Sequence, residues 1–191
     1  MKSIIIAFLL LFSFISYAQK PCEFSTNISD SIGVYKATKG YLIYEKVFAG
    51  NSNYIFASFV LTDSIPTLNL QFVEKSMDFI KAKCFDKNSK IYLQLINGKI
   101  VTLNHIDKLD CGAMIRDDNN NNNRILTGTF TFTMQALEEL KNSPVSLIRI
   151  KFSTEAIDYI FKNELISELD GKTYNPENYF MDYLHCIFGE N

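Results

Sequence analysis

The segment Lys90-Ile-Tyr-Leu-Gln-Leu-Ile-Asn-Gly-Lys-Ile-Val-Thr-Leu103 narrows the folds open to this chain more than any other stretch. Two strand-like runs flank Asn97-Gly98. Asn-Gly is the preferred pair where both central residues of a turn need positive φ, so the spacing predicts a β-hairpin closed by a two-residue type I′ turn. An isolated hairpin is marginal in water. The hairpin therefore needs further strands or a helix to cover its apolar face.

The rest of the chain supplies both. Tyr41–Phe48 and Tyr54–Leu61 are rich in aromatic and β-branched residues, with Ala49-Gly-Asn-Ser-Asn53 between them as a loop of hairpin length. Further strands are predicted over Thr67–Val73, Met77–Cys84, Ile125–Phe132, Ser146–Phe152 and Ala156–Phe161, the last returning antiparallel to its predecessor. In Ser146–Phe152, Ile148, Ile150 and Phe152 share one face, while Leu147, Arg149 and Lys151 share the other. Arg116–Arg124, with five consecutive asparagines, reads as an exposed loop. Thr133 is placed to cap a short helix over Met134–Asn142, with Leu137 and Leu140 on one face and Pro144 beyond its end. Asn175-Pro176-Glu177 reads as the start of a C-terminal helix running to Phe188, with Phe180, Leu184 and Phe188 on one stripe. No repeat or linker divides the chain. The fold class predicted is mainly β (α+β): an antiparallel β-sandwich-like domain with one short helix and a C-terminal helix.

The N-terminus reads as an address. Lys2 precedes an apolar run from Ile4 to Ile15, and Ser16-Tyr17-Ala18 ends it in the manner of a signal-peptide cleavage site. A spanning helix needs about 20 apolar residues, and this run is shorter. The expected organisation is a signal peptide over 1–18 and a single exported β-rich domain over 19–191, periplasmic or secreted. The alternative is an uncleaved membrane anchor. Cys22 follows Gln19-Lys20-Pro21 and not a lipoprotein box. The chain's net charge of −2 makes no electrostatic case for nucleic acid or an anionic membrane.

Export changes the meaning of the four cysteines, Cys22, Cys84, Cys111 and Cys186. An even count in an oxidising compartment favours disulfides, and four cysteines allow three pairings. Across a two-residue turn at 97 and 98 the numbers of facing residues add to 195, as do those of Cys84 and Cys111. Asp86-Lys87-Asn88-Ser89 interrupts that ladder, yet the sum favours Cys84–Cys111 and leaves Cys22–Cys186. The other possibility is four buried free thiols. No Cys-x-x-Cys occurs, which argues against a redox or zinc site.

Chemistry is sparse. The sequence has no Gly-x-Ser-x-Gly, no His-Glu-x-x-His and no phosphate-cradling glycine loop. Either of the two histidines would have to serve a nucleophilic site. His105 lies near a strand end in Leu103-Asn-His-Ile-Asp107. His185 neighbours Cys186 on the last helix, where adjacent positions point about 100° apart, so no dyad is expected. Aligned to a calcium loop, Asp117, Asn119 and Asn121 take positions 1, 3 and 5. The match fails where Asn122 replaces the turn glycine and Gly128 the bidentate glutamate. Glu138, Glu139, Glu164 and Glu168 show nothing that marks a carboxylate pair. Tyr41, Tyr44, Tyr54 and Tyr92 could form a binding face or pack across strands. No catalytic residue, cofactor or metal is predicted.

Some segments resemble small exported β-rich proteins of AT-rich Gram-negative bacteria. The likeness lies in the Ala18-Gln19 junction, Lys90–Leu103, Cys111, and Leu137-Glu-Glu-Leu-Lys141 with Leu147-Ile-Arg-Ile-Lys151, covering about residues 77–161. It implies a compartment and a β-rich fold, and no activity. Asp30-Ser31-Ile32 and Asp63-Ser64-Ile65 are similar to Asp-Ser/Thr-apolar tripeptides that some such bacteria O-glycosylate. The function expected is an exported, non-catalytic domain that binds a protein, peptide or small ligand in the cell envelope. The alternatives are a hydrolase using His105 and a membrane-anchored envelope protein.

Overall fold

Alternation of apolar and polar side chains builds a sheet with one buried face. The structure, a computed structural model, describes residues 20–106 and 109–188; the expected signal peptide over 1–18 lies outside the described residues. In β4 (Asn51–Thr62) the buried positions include Ile55, Ala57 and Phe59, and in β5 (Ile65–Ser76) Leu68, Leu70 and Phe72. Strand side chains alternate between faces, so each set turns inward together. The same rhythm runs through β6 (Lys90–Leu95), β7 (Ile100–His105), β9 (Asn122–Thr131) and β10 (Val145–Lys151).

With β1 (Phe24–Ser29), β2 (Val34–Thr38), β3 (Tyr41–Phe48), β8 (Ala113–Arg116) and β11 (Ala156–Ile160), these form one antiparallel sheet of eleven strands among the described residues. Its order is β1-β2-β4-β5-β9-β7-β6-β10-β11, with β3 also on β4 and β8 also on β9. The sheet turns a corner at β9–β7, where only Asn104↔Thr131 and His105↔Phe130 pair. Ile91, Leu93, Ile148 and Ile150 beyond that corner share one core with the inward residues of β4, β5 and β9. The far edges approach each other, Tyr44 on β3 meeting Tyr159 on β11 with ring centroids 4.9 Å apart. This is a mainly β, sandwich-like α+β domain.

Helix α1 (Met134–Asn142) forms as its sequence dictates: the Ala136 amide donates to Thr133 Oγ1 at 3.1 Å, and Leu137 and Leu140 are buried. The small pair β12 (Leu165–Ile166) and β13 (Thr173–Tyr174) precedes the C-terminal segment. There the single expected helix is broken into a 3₁₀ turn (Pro176–Asn178), α2 (Tyr179–Tyr183) and α3 (His185–Phe188). Asn175 does not cap it; its amide group donates to the Asn163 carbonyl at 2.9 Å.

The Asn97-Gly98 hairpin forms with a different turn. Gln94 faces Ile100 and Ile91 faces Leu103, so facing residues add to 194. The loop is Ile96-Asn97-Gly98, closed by Gly98 N–H donating to the Leu95 carbonyl at 3.0 Å and Leu95 N–H to Lys99 at 2.9 Å. Only Gly98 is left-handed, at φ 87°. Burial explains the choice. A two-residue turn would put Val101 and Leu103 on the face opposite Ile91, Leu93 and Leu95, whereas the observed register sends all five into the core. Turn preference is worth less than the two apolar side chains that would otherwise leave that face, at roughly 1.5–3 kcal/mol each.

Other boundaries moved for related reasons. The loop expected over 49–53 is a two-residue turn at Ala49-Gly50, both with positive φ, and β4 starts at Asn51. The asparagine run is not an open loop: β8 pairs with Asn122–Ile125 of β9 across a turn held by Asp117. Met77–Cys84 is not a strand, since β8 occupies the neighbouring edge of β9. Instead Asn122 Nδ2 donates to the Asp78 carbonyl at 2.9 Å and Arg124 Nε to that of Ile80 at 3.2 Å. β1 and β2 carry no alternation strong enough to predict them.

Candidate functional site

Both bridges close as the pairing argument favours, Cys84–Cys111 and Cys22–Cys186. The route to the first differs from the one expected. The hairpin register would not oppose residues 84 and 111, but the irregular segment beyond Ser89 and His105 restores the offset at the isolated Phe85↔Asp110 bridge. The second ties the N-terminal segment to α3, with Lys20 Nζ 2.6 Å from Asp182 Oδ2 beside it. Two disulfides are what an oxidising, extracytoplasmic environment sustains. No helix among the described residues is long and apolar enough to cross a membrane.

This tie creates a cleft of about 320 Å³ between the N-terminal segment, the start of β3, β13 and α2. Four tyrosines converge there. Tyr41 lies 5.0 Å from Tyr174, 5.1 Å from Tyr179 and 5.1 Å from Tyr183, centroid to centroid. Tyr179 in turn stacks on Phe59 of the core at 4.8 Å. A β-bulge at Leu42-Ile43 buries both of those neighbours and anchors the start of β3 under the cleft. Tyr179 and Tyr183 share a helix face because they stand four apart.

The polar groups are mostly committed to one another. Tyr41 Oη accepts from the Asn175 amide at 2.7 Å, and Tyr174 Oη donates to Asp170 Oδ2 at 2.7 Å. Tyr179 is 1% exposed, and its hydroxyl has no hydrogen-bond partner. Lys39 pairs with Glu23 at 3.0 Å and Lys20 with Asp182, while Lys20 also lies 5.9 Å over the Tyr183 ring. Burial pushes the phenols of Tyr41, Tyr179 and Tyr183 up, and burial with the Asp170 hydrogen bond pushes Tyr174 up to about 12. Burial opposes the charge of Lys20, but the Asp182 carboxylate more than offsets it and raises that group. The cleft thus presents neutral phenols within a rim of closed ion pairs.

A larger hollow of about 610 Å³ between β7 and α1 has no aromatic wall and is spanned by the Lys99–Glu139 pair at 2.6 Å. It offers a ligand little beyond solvent.

The remaining sequence candidates are dispersed. His105 is buried between Phe85 and Phe130, with Nδ1 3.0 Å from the Asp86 carbonyl and Nε2 enclosed without a partner. That carbonyl accepts from Nδ1–H, and the imidazole packs at the sheet corner. The sequence predicts no dyad of His185 with Cys186, yet His185 Nε2 lies 3.7 Å from Cys186 Sγ and 3.2 Å from Cys22 Sγ, which the Cys22–Cys186 bridge brings beside it. Asp117 accepts from the Asn119 and Asn121 amides, Asn123 Nδ2 and Lys75 Nζ, so its lone pairs hold the β8–β9 turn and its charge is met by lysine. Glu139 and Glu138 pair with Lys99 and Lys141, Glu168 N–H donates to Glu45, and Glu164 is exposed. Tyr44 packs on Tyr159, Tyr54 on Phe56, and Tyr92 lies beside Arg149, so only Tyr41 of the four reaches the cleft. Ser31 and Ser64 are exposed on adjoining turns, where Asp63 N–H donates to the Val34 carbonyl at 2.7 Å.

Tyr174, Tyr179 and Tyr183 escaped the sequence reading, although their clustering within ten residues and the i, i+4 pair were a legible signal. No protein-family model, curated protein or solved structure matches the chain.

Proposed function

We propose that the chain is an exported, non-catalytic binding domain of the cell envelope whose tyrosine-lined cleft takes a small, uncharged, ring-bearing ligand of the sugar type. The observation that carries this reading is the convergence of Tyr41, Tyr174, Tyr179 and Tyr183 from three elements onto one cleft. Tyrosine offers a flat apolar face and a polar edge at low entropic cost. Closed Lys–Glu and Lys–Asp pairs around it both donate to and accept from hydroxyls, whereas a charged ligand would have to break one. Export is supported by the apolar N-terminal run and by the two disulfides.

The chain has no tryptophan, so its intrinsic emission comes from tyrosine. Titration with neutral mono- and disaccharides should give a saturable emission change that Tyr183→Ala abolishes and Tyr54→Ala preserves. Emission and calorimetry both flat across that series would reject the reading.

A further inference from the structure

The two disulfides have different surroundings. Around Cys84–Cys111 the contacts are to backbone: Ser153 N–H donates to the Cys84 carbonyl at 2.9 Å, and Arg124 Nη1 to that of Cys111 at 3.2 Å. Among the described residues, no ionisable side chain hydrogen-bonds either of those sulfurs. Around Cys22–Cys186 an imidazole touches both, with His185 Nε2 3.2 Å from Cys22 Sγ and 3.7 Å from Cys186 Sγ. The two ends also differ in access, Cys22 being half-buried and Cys186 only 6% exposed.

We propose that Cys22–Cys186 is a thiol-exchange site for low-molecular-weight thiols, with His185, which touches both sulfurs, as the group that hydrogen-bonds the departing one. An incoming thiolate attacks Cys22 Sγ, the accessible end. The new sulfur–sulfur bond forms to Cys22 as the Cys22–Cys186 bond breaks, and its electron pair leaves on Cys186 as a thiolate within reach of the His185 ring N–H. A thiolate that accepts a hydrogen bond is a better leaving group, and exchange rate follows leaving-group stability. A monothiol stops at a mixed disulfide on Cys22. A dithiol continues: its second thiolate attacks the mixed disulfide, it departs as a cyclic disulfide oxidised by two electrons, and Cys22 and Cys186 are left as thiols.

The site is built to close again. The segment bearing Cys22 is held on both sides, by Lys20 on Asp182 and by the Glu23 carbonyl, which accepts from the Lys39 amide at 2.9 Å. Opening the bridge therefore leaves the sulfurs near each other: from the mixed disulfide the Cys186 thiolate attacks Cys22 Sγ and expels the monothiol as its thiolate, while the dithiol-reduced pair closes again only by exchange with an oxidised low-molecular-weight disulfide, which takes up the two electrons. None of this depends on whether the cleft binds a ligand.

The test uses the full oxidised chain with reduced glutathione, and separately with dithiothreitol, followed by alkylation and peptide mapping by mass spectrometry. The expected result is a glutathione adduct on Cys22, with Cys22–Cys186 opening about tenfold or more faster than Cys84–Cys111. His185→Gln should slow that opening about tenfold and leave Cys84–Cys111 unchanged. The sign separates charge stabilisation from a structural role, because a substitution that only loosened α3 would expose the bridge and speed attack. Prior opening of Cys84–Cys111, an adduct on Cys186, or an unchanged or faster rate in the variant would each overturn the proposal. Should His185→Gln fail to fold, the order of opening and the adduct position in the parent chain still decide it.

Discussion

The ring of Phe85 occupies the space where residue 128 would carry a side chain. A Cβ on Gly128 would lie 2.6 Å from Phe85 Cε2 and 3.0 Å from Phe130 Cε2. Phe85 has nowhere to retreat: it stacks on Phe152 at 5.0 Å and on His105 at 5.2 Å, and meets Phe130 edge-on at 5.4 Å. A glycine in the middle of a strand here marks a close approach, and it lets the segment after Cys84 seal the corner of the sheet.

Gly128→Ala is therefore expected to destabilise the fold by about 1–3 kcal/mol, as overpacking in a filled core does. Urea denaturation measures it. Pairing the change with Phe85→Leu should recover part of the loss, and strictly additive effects would show that the two sites do not touch.

Removing the bridges should cost unequal amounts. Cys22–Cys186 spans 164 residues and Cys84–Cys111 spans 27. Loop-closure entropy puts their contributions at about 5 and about 3.5 kcal/mol. Denaturation of the two double-alanine variants tests the order, and a larger loss for Cys84/Cys111 would mean that the unfolded chain does not control it.

The cleft tyrosines should ionise late. Burial raises Tyr41, Tyr179 and Tyr183 above the ordinary phenol value of about 10. Their folded values exceed the unfolded one, so the stability they contribute is complete below about pH 10 and is lost as pH rises through the folded values. Ultraviolet titration should show the cleft tyrosines ionising in a cooperative phase that coincides with unfolding. One phase, complete before any unfolding, would contradict the packing described.

Asp117 gives the opposite dependence. The Lys75 ammonium, with the Asn121 amide, holds its carboxyl well below the usual carboxylate range. Its stabilisation is then complete above about pH 4 and fades as pH falls through the lowered value. Asp117→Asn should be less stable than the parent at neutral pH, with the gap closing in acid. A gap independent of pH would assign the effect to turn geometry and not to charge.

The export proposal predicts a mature protein that begins at Gln19. N-terminal sequencing of the exported chain checks this, and a start at Met1 would favour the anchored alternative.

Local physics was readable along the chain. Thr133 capping Met134–Asn142, the inward Ile148 and Ile150, and the return of β11 on β10 each depend on residues within a few positions or on a simple alternation. The pairing of the cysteines was reached by a register rule whose turn was wrong by one residue, and a compensating one-residue offset between the hairpin and the Phe85↔Asp110 bridge made the answer right. Weak patterns misled: the asparagine run has little strand propensity, yet Asp117 closes its turn and β5 and β8 pair with it from both sides.

The sequence by itself determined that this would be a β-rich domain with two late helical segments and an even set of cysteines, because those properties are written in composition and short-range periodicity. Tertiary structure decided the rest. Which turn closes the Asn97-Gly98 hairpin was settled by burial of two apolar side chains, Val101 and Leu103. The convergence of Tyr41 with Tyr174, Tyr179 and Tyr183 joins segments more than 130 residues apart, held by Cys22–Cys186 and by the Asn175 amide on Tyr41. The contact of His185 with both sulfurs arises only because the Cys22–Cys186 bridge brings the N-terminal segment to the last helix. These are relations between distant segments, and the energy that selects them comes from filling one shared core.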